Sequence, residues 1–339
     1  MRQIFFLLGA CQLLIASAQT GVLTRLHNGQ SSFYYTTDWD ANIIQTTIDA
    51  CVVGDTLILP GGTFYLDANL LINKPVVIVG AGYASATNPV TQPTLLAQGT
   101  GSAHDVIIYN NAGGFSVHGI GFGVQVSFSD FIVTQNVDFI RCNLLGVKLG
   151  QTSGTLISQI HFKECLIGSL QQLNATAVTA DNCIFKGTNP PAGITVRNSV
   201  IHNWMEASSG DFHNCIILRY GPAGTLNGSG SYFDCVFVAL SGQYTSGGAA
   251  VLVNCQTVLS AALSTVFTSV SDLSAWSGSF NYHNPTGPAT AHTAGIYFGT
   301  WPWKDGAIPF NPHWLGLTVP GATNGGVINV NLSGAAQQN

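Results

Sequence analysis

A run of look-alike segments recurs along the middle of the chain: ECLIG at Glu164, NCIFK at Asn182, NSVIH at Asn198, NCIIL at Asn214, DCVFV at Asp234 and NCQTV at Asn254. Their anchors Cys165, Cys183, Ser199, Cys215, Cys235 and Cys255 stand about 16 to 20 residues apart. A beat of that length marks a solenoid, in which no unit buries its apolar face alone and each stacks on the next. Arg141-Cys142 opens the series one coil earlier. Each coil is then expected to turn apolar side chains inward and to hydrogen-bond to its neighbour at about 4.8 Å. The Asn or acidic residue before each anchor fits a tight turn with left-handed backbone, where stacked asparagines also bond one another. The spacings from Cys183 to Ser199 and from Ser199 to Cys215 are short for three strands and three turns, so a distorted or misregistered coil is expected there.

The anchors are mostly cysteine, and two chemistries compete for them. Cysteine is a small buried hydrophobe, and equivalent places on successive coils favour an internal stack of thiols. Disulfides are the alternative in an exported protein, but Ser199 in the series and an odd number of cysteines after leader removal speak against them. No Cys-x-x-Cys or His-x-x-x-His pair occurs, so the series is a poor metal site.

Met1-Arg2, the apolar run Ile4 to Ile15 and then Ala16-Ser17-Ala18 read as a secretory leader over residues 1–18, with Gln19 as the first mature residue. The rival reading is a lipid anchor on Cys11 within Leu8-Gly9-Ala10-Cys11. No later stretch of about 18 apolar residues exists, so no membrane span is expected. Charged residues make up only 7% of the 339-residue chain and the formal net charge is -5. An ordinary soluble protein carries about 25% charged residues. Without a basic cluster, nucleic acid is an unsuitable partner.

Before the repeats, Ile44, Ile48 and Cys51 fall at helical spacing, and GDTLILPGGTFY from Gly54 is rich in β-formers and glycine. A short helix there would cover the open end of the solenoid. VVIVGAG from Val76 imitates a dinucleotide-binding turn, but the loop chemistry of ATNPVTQP follows where that site needs a helix.

IQTTIDACVVGDTLILPGGTFYL from Ile44, LLINKPVVIVGAG from Leu70, FSVHGIGF from Phe115 and the Asn-Cys coils together resemble the secreted right-handed parallel β-helix proteins of the pectate-lyase-like superfamily. The likeness runs over residues 40 to 265. It implies an all-β right-handed parallel β-helix over residues 19–270, with an N-terminal helical cap. Residues 271–339, which resemble the closing segment of bacterial β-helix surface proteins, would form an irregular aromatic C-terminal cap, packed as a plug over the last coil.

Fold likeness does not carry chemistry with it. Lyases of this fold need a base beside a sugar carbon acid, often with calcium, and hydrolases need close carboxylates. His118-Gly119 has no Asp-Asp partner, so no catalytic residue transfers from the family. Aligning the coils on their anchors places Lys163, Asp181, Arg197 and His213 in one vertical column. Its functional reading makes Asp181 and His213 the catalytic candidates and Lys163 and Arg197 the cations for an acidic sugar; its bland reading is an exposed ion-pair ladder. Trp301, Trp303 and Trp314, with Tyr297 and Phe310, offer flat faces on which sugars stack, or form the plug. The expected role is an extracellular or cell-surface module that binds polysaccharide or serves as a rigid structure, with a polysaccharide lyase or glycoside hydrolase as the alternative. No cofactor is expected, calcium aside in the case of a lyase, and the sequence does not fix the oligomeric state.

Overall fold

A computed structural model describes residues 21–303 apart from 37–38, 85–91, 102, 110–111, 130–133, 151–156, 173–174, 188–189, 204–208, 284–292 and 301, together with the strands His313–Thr318 and Asn331–Ala335. The expected leader over residues 1–18, with Cys11, lies outside these residues. The chain forms an all-β right-handed parallel solenoid of about nine turns. Two long sheets run its length, one of 12 strands and one of 13.

Each repeat unit has the same local logic. A first-sheet strand such as Ala175–Asp181 ends at a residue with positive φ, the anchor follows, and a second-sheet strand such as Ile184–Phe185 leaves in a new direction. The turning residues are Arg141, Glu164, Asn182, Asn198, Asn214, Asp234 and Asn254, all with φ between 48° and 54°. Gly119, at φ 63°, holds the same place one coil before Arg141. Their N–H groups donate along the stack, Asn182 to the carbonyl of Arg197 and Asn198 to that of His213. The expected Asn turn is therefore present, and it tolerates Arg and Glu because these two pair with each other. Arg141 Nε meets Glu164 Oε2 at 2.9 Å with both side chains buried.

Behind the turns the thiols form the internal stack. Cys142, Cys165, Cys183, Cys215 and Cys235 are free and buried, and Cys255, in the last coil, is partly exposed. The Cys142 N–H donates to Cys165 Sγ at 3.4 Å, and where serine replaces cysteine the Cys183 N–H donates to Ser199 Oγ at 3.0 Å. Aliphatic side chains and stacked rings share the rest of the interior, with Phe139 stacked on Phe162 and Phe212 on Tyr232. The two short coils are not misregistered: Asp181 pairs with Arg197 and Arg197 with His213, while Ile184 pairs with Val200 and Val200 with Ile216.

At the N-terminal end the helix Asn42–Ala50 buries Ile44, Thr47 and Ile48 against the first coil. Lys74 Nζ donates to the carbonyls of Ile48, Asp49 and Cys51, satisfying the helix C-terminus and meeting its partial negative charge. A hairpin precedes the helix. Strands Gly21–His27 and Gln30–Thr36 pair around Asn28-Gly29, whose φ values of 49° and 77° suit a two-residue hairpin turn. The first of these strands then pairs antiparallel with Thr56–Ile58, which prolongs the first sheet beyond the solenoid.

The C-terminal segment is described only in part. Its described part runs along the side of the solenoid, where Val266, Phe267, Leu273, Tyr282, Ala294 and Ile296 form a second core with the outward-facing side chains of the second sheet. The reason is visible in the strands themselves: Leu166-Ile167, Ile184-Phe185, Val200-Ile201 and Ile216-Ile217 are apolar at both positions, so both faces need cover. The segment is also pinned to the turn column. Asn182 Nδ2 donates to the carbonyls of Ile296 and Phe298, and the Gly295 N–H donates to the Asn214 carbonyl. At Asn182 the amide thus serves the returning chain and not a neighbouring asparagine.

Candidate functional site

At the ends of the first-sheet strands of the coils, a buried residue stands between two that face outward. Register places His118, Ile140, Lys163, Asp181, Arg197, His213, Phe233 and Val253 in one outward column. Two residues back, Ser116, Asp138, His161, Thr179, Thr195 and Asp211 form the column beside it. The intervening residues Val117, Phe139, Phe162, Ala180, Val196 and Phe212 are buried in the core. The expected column is therefore real and is half of a wider polar face.

The charges on this face pair locally. Lys163 Nζ lies 3.2 Å from Asp138 Oδ1, and Arg197 Nη1 lies 3.5 Å from Asp181 Oδ1. Both pairs are partly open to water, and Arg197 is 48% exposed. Such pairs contribute about 0–1 kcal/mol to stability, so holding the fold together is a weak reason for placing them here. The imidazoles take other partners. His161 Nδ1 bonds Thr179 Oγ1 at 2.8 Å, His118 Nε2 bonds Ser116 Oγ at 2.8 Å, and His213 stacks on Phe233 with ring centroids 4.8 Å apart. Burial pushes the pKa of His118 down to about 4, against the opposing pull of Asp138.

Asp181 and His213, the two catalytic candidates, are not brought together. Arg197 stands between them in register and takes the Asp181 carboxylate. The arrangement presents cations, carboxylates, hydroxyls, imidazoles and the half-buried ring of Phe233 on one face. Asp138 is the register neighbour of His161, whose Nδ1 bonds Thr179, and among the described residues no group of three His, Cys, Asp or Glu could hold a metal ion.

The aromatic candidates are divided. Trp303 packs against the second core, and Tyr297 stacks on His283 at 3.7 Å. Trp301 and Phe310 lie outside the described residues, and Trp314 belongs to the strand His313–Thr318, which pairs antiparallel with Asn331–Ala335. Sequence reasoning missed Asp138, His161 and Asp211, although a step of two residues back from the column, the period of a strand, points to them. Comparison of the chain with protein-family models, curated proteins and solved structures finds no match. Among the described residues no helix is long and apolar enough to cross a membrane.

Proposed function

We propose that this protein is exported and works outside the cell or at its surface, as a rigid β-helix that binds polysaccharide on the outer face of its first sheet without catalysing a reaction. One observation carries the reading. A chain in which only 7% of residues are charged gathers Asp138, Lys163, Asp181, Arg197 and Asp211 on one face, where ion pairing adds little stability. Lys163 and Arg197 are the cations for an acidic sugar, and the Thr and His hydroxyl and ring groups between them suit sugar hydroxyls. The leader-like Met1–Ala18 supports export, and the likeness to pectate-lyase-like proteins supports a saccharide partner.

The test is titration of the mature chain with acidic and neutral polysaccharides, alongside Lys163→Ala and Arg197→Ala, with product formation followed in parallel. Affinity for an acidic polymer that falls on both substitutions, without turnover, is the expected result. Unsaturated products or new reducing ends that vanish in Asp181→Ala would make the protein a lyase or a hydrolase instead. Silence across the panel would leave a purely structural module.

A further inference from the structure

The 12-stranded first sheet ends at the hairpin strand Gln30–Thr36, which among the described residues pairs only with Gly21–His27. The hairpin is fixed to the first coil. Arg25 Nε donates to Asp55 Oδ2 at 2.6 Å, His27 Nδ1 bonds Asp55 Oδ1 at 2.6 Å, and Leu23 and Tyr34, opposite each other in the hairpin, pack into the main core. The edge is thus held in place before any partner arrives.

A sheet edge is a row of unpaired N–H and C=O groups, and natural edges are blunted by lysine, proline, a bulge or brevity. Gln30–Thr36 has none of these: it runs for seven residues without a charge or a proline, and its register with Gly21–His27 is unbroken. The opposite edge of the same sheet, Val251–Val253, has only three residues. In a two-residue hairpin the residues flanking the turn exchange both backbone bonds, and bonded pairs then alternate along the ladder. His27 and Gln30 flank the turn, so Gln30, Ser32, Tyr34 and Thr36 point their backbone groups at Gly21–His27. Ser31, Phe33 and Tyr35 point theirs at the open edge. Phe33 and Tyr35 also face outward, 58% and 65% exposed, opposite Thr24 and the exposed Val22.

The edge-facing residues are symmetric about Phe33. Laid antiparallel on itself, the strand sets Phe33 opposite Phe33 of the second copy and Ser31 opposite Tyr35 in both directions, so every edge-facing N–H and C=O finds a partner. No like charges are opposed, and the outward aromatic rings of the two copies come side by side. A neutral edge carries no charge with which to select an unlike partner, whereas a two-fold contact needs only one self-complementary surface and closes on itself. We infer that this protein dimerises by antiparallel pairing of Gln30–Thr36 with the same strand of a second copy, about a two-fold axis at Phe33. The two first sheets then run on as one. The inference does not depend on the polysaccharide reading.

The experiment is sedimentation velocity of the mature chain over about 1–100 µM, the range suited to an interface this small. Phe33→Lys, Phe33→Glu and their equimolar mixture are run beside it. The parent is expected to dimerise within that range. Each variant alone should bind itself at least about tenfold more weakly, because like charges stand opposite each other, and the mixture should dimerise again. Hydrogen exchange of the parent supplies a readout that needs no variant: the N–H groups of Ser31, Phe33 and Tyr35 should be protected at high concentration and exchange freely on dilution. A parent that stays monomeric overturns the inference. So does a dimer that leaves those three N–H groups unprotected, or one that is equally tight in both variants. Folded variants whose mixture stays monomeric overturn the pairing at Phe33. Open-ended oligomers that grow with concentration mean head-to-tail contact with the Val251–Val253 edge and overturn it too.

Discussion

Arg141 and Glu164 occupy successive places in the column of left-handed turns and meet there as a buried, two-point ion pair, Nε to Oε2 at 2.9 Å and Nη2 to Oε1 at 3.2 Å. Removing one partner strands the other. Glu164→Ala should therefore destabilise the protein by about 3–5 kcal/mol, and Arg141→Ala by a similar amount. The double variant should lose clearly less than the sum, and urea unfolding of the four proteins measures this. Strict additivity would show that the pair carries no coupling.

Ser199 stands in the thiol stack and accepts the Cys183 N–H while donating to the Arg197 carbonyl at 2.7 Å. Ser199→Ala leaves a buried N–H without its acceptor, and about 1–3 kcal/mol of stability should be lost. Ser199→Cys restores the pattern of the other coils and should lose less. Equal losses in the two variants would mean that the side-chain acceptor is unimportant and that packing alone matters.

Asn182 both adopts left-handed geometry and pins the return segment. Asn182→Gly keeps the backbone freedom and removes only the amide. Limited proteolysis should then cut residues 266–303 faster than in the parent, while the coils stay protected. Asn182→Ala should be less stable than Asn182→Gly, since alanine adds backbone strain of about 1–2 kcal/mol. If the glycine variant resists protease like the parent, the apolar contacts hold the segment without Asn182.

His202 is buried, bonds Tyr282 Oη through Nε2 at 2.7 Å, and has its pKa pushed down to about 4 by burial. In the unfolded chain an imidazole titrates at about 6.5. The unfolded state therefore binds the proton first as pH falls. Stability should decline from about pH 6.5 toward 4 and then level off with respect to this group, by about 3 kcal/mol in full. His118, also shifted down to about 4, acts in the same direction over the same window. His202→Gln removes the proton site while retaining hydrogen-bonding groups, so its urea midpoint should vary less between pH 7 and pH 4.5 than the parent's. An unchanged slope would place the acid sensitivity elsewhere.

The legible parts of the fold share one property: they repeat at a fixed offset from the anchors. Lys163, Asp181, Arg197 and His213 could be put in one column because Cys165, Cys183, Ser199 and Cys215 fix the register, and the left-handed Asn182 and Asn214 sit one step before their anchors. A second left-handed column at Asn136, Gln159 and Ala177 had no such mark, since Gln and Ala give no composition signal for positive φ. The path of the return segment is not legible in the repeats, because its partners are more than a hundred residues away, as with Asn182 and Ile296. The pairs of adjacent apolar residues in the second sheet carried the clue.

A stack in which each coil touches only its neighbours unravels from whichever end is loosened first. The return segment alters that mechanics. By lying across Leu166, Ile184, Val200, Ile216 and Val236, it ties five successive coils to one lateral strip, as a splint ties the segments of a rod. Under tension the unsplinted coils around Val77–Val79 and Ser116–His118 can yield singly, whereas the splinted ones must yield together.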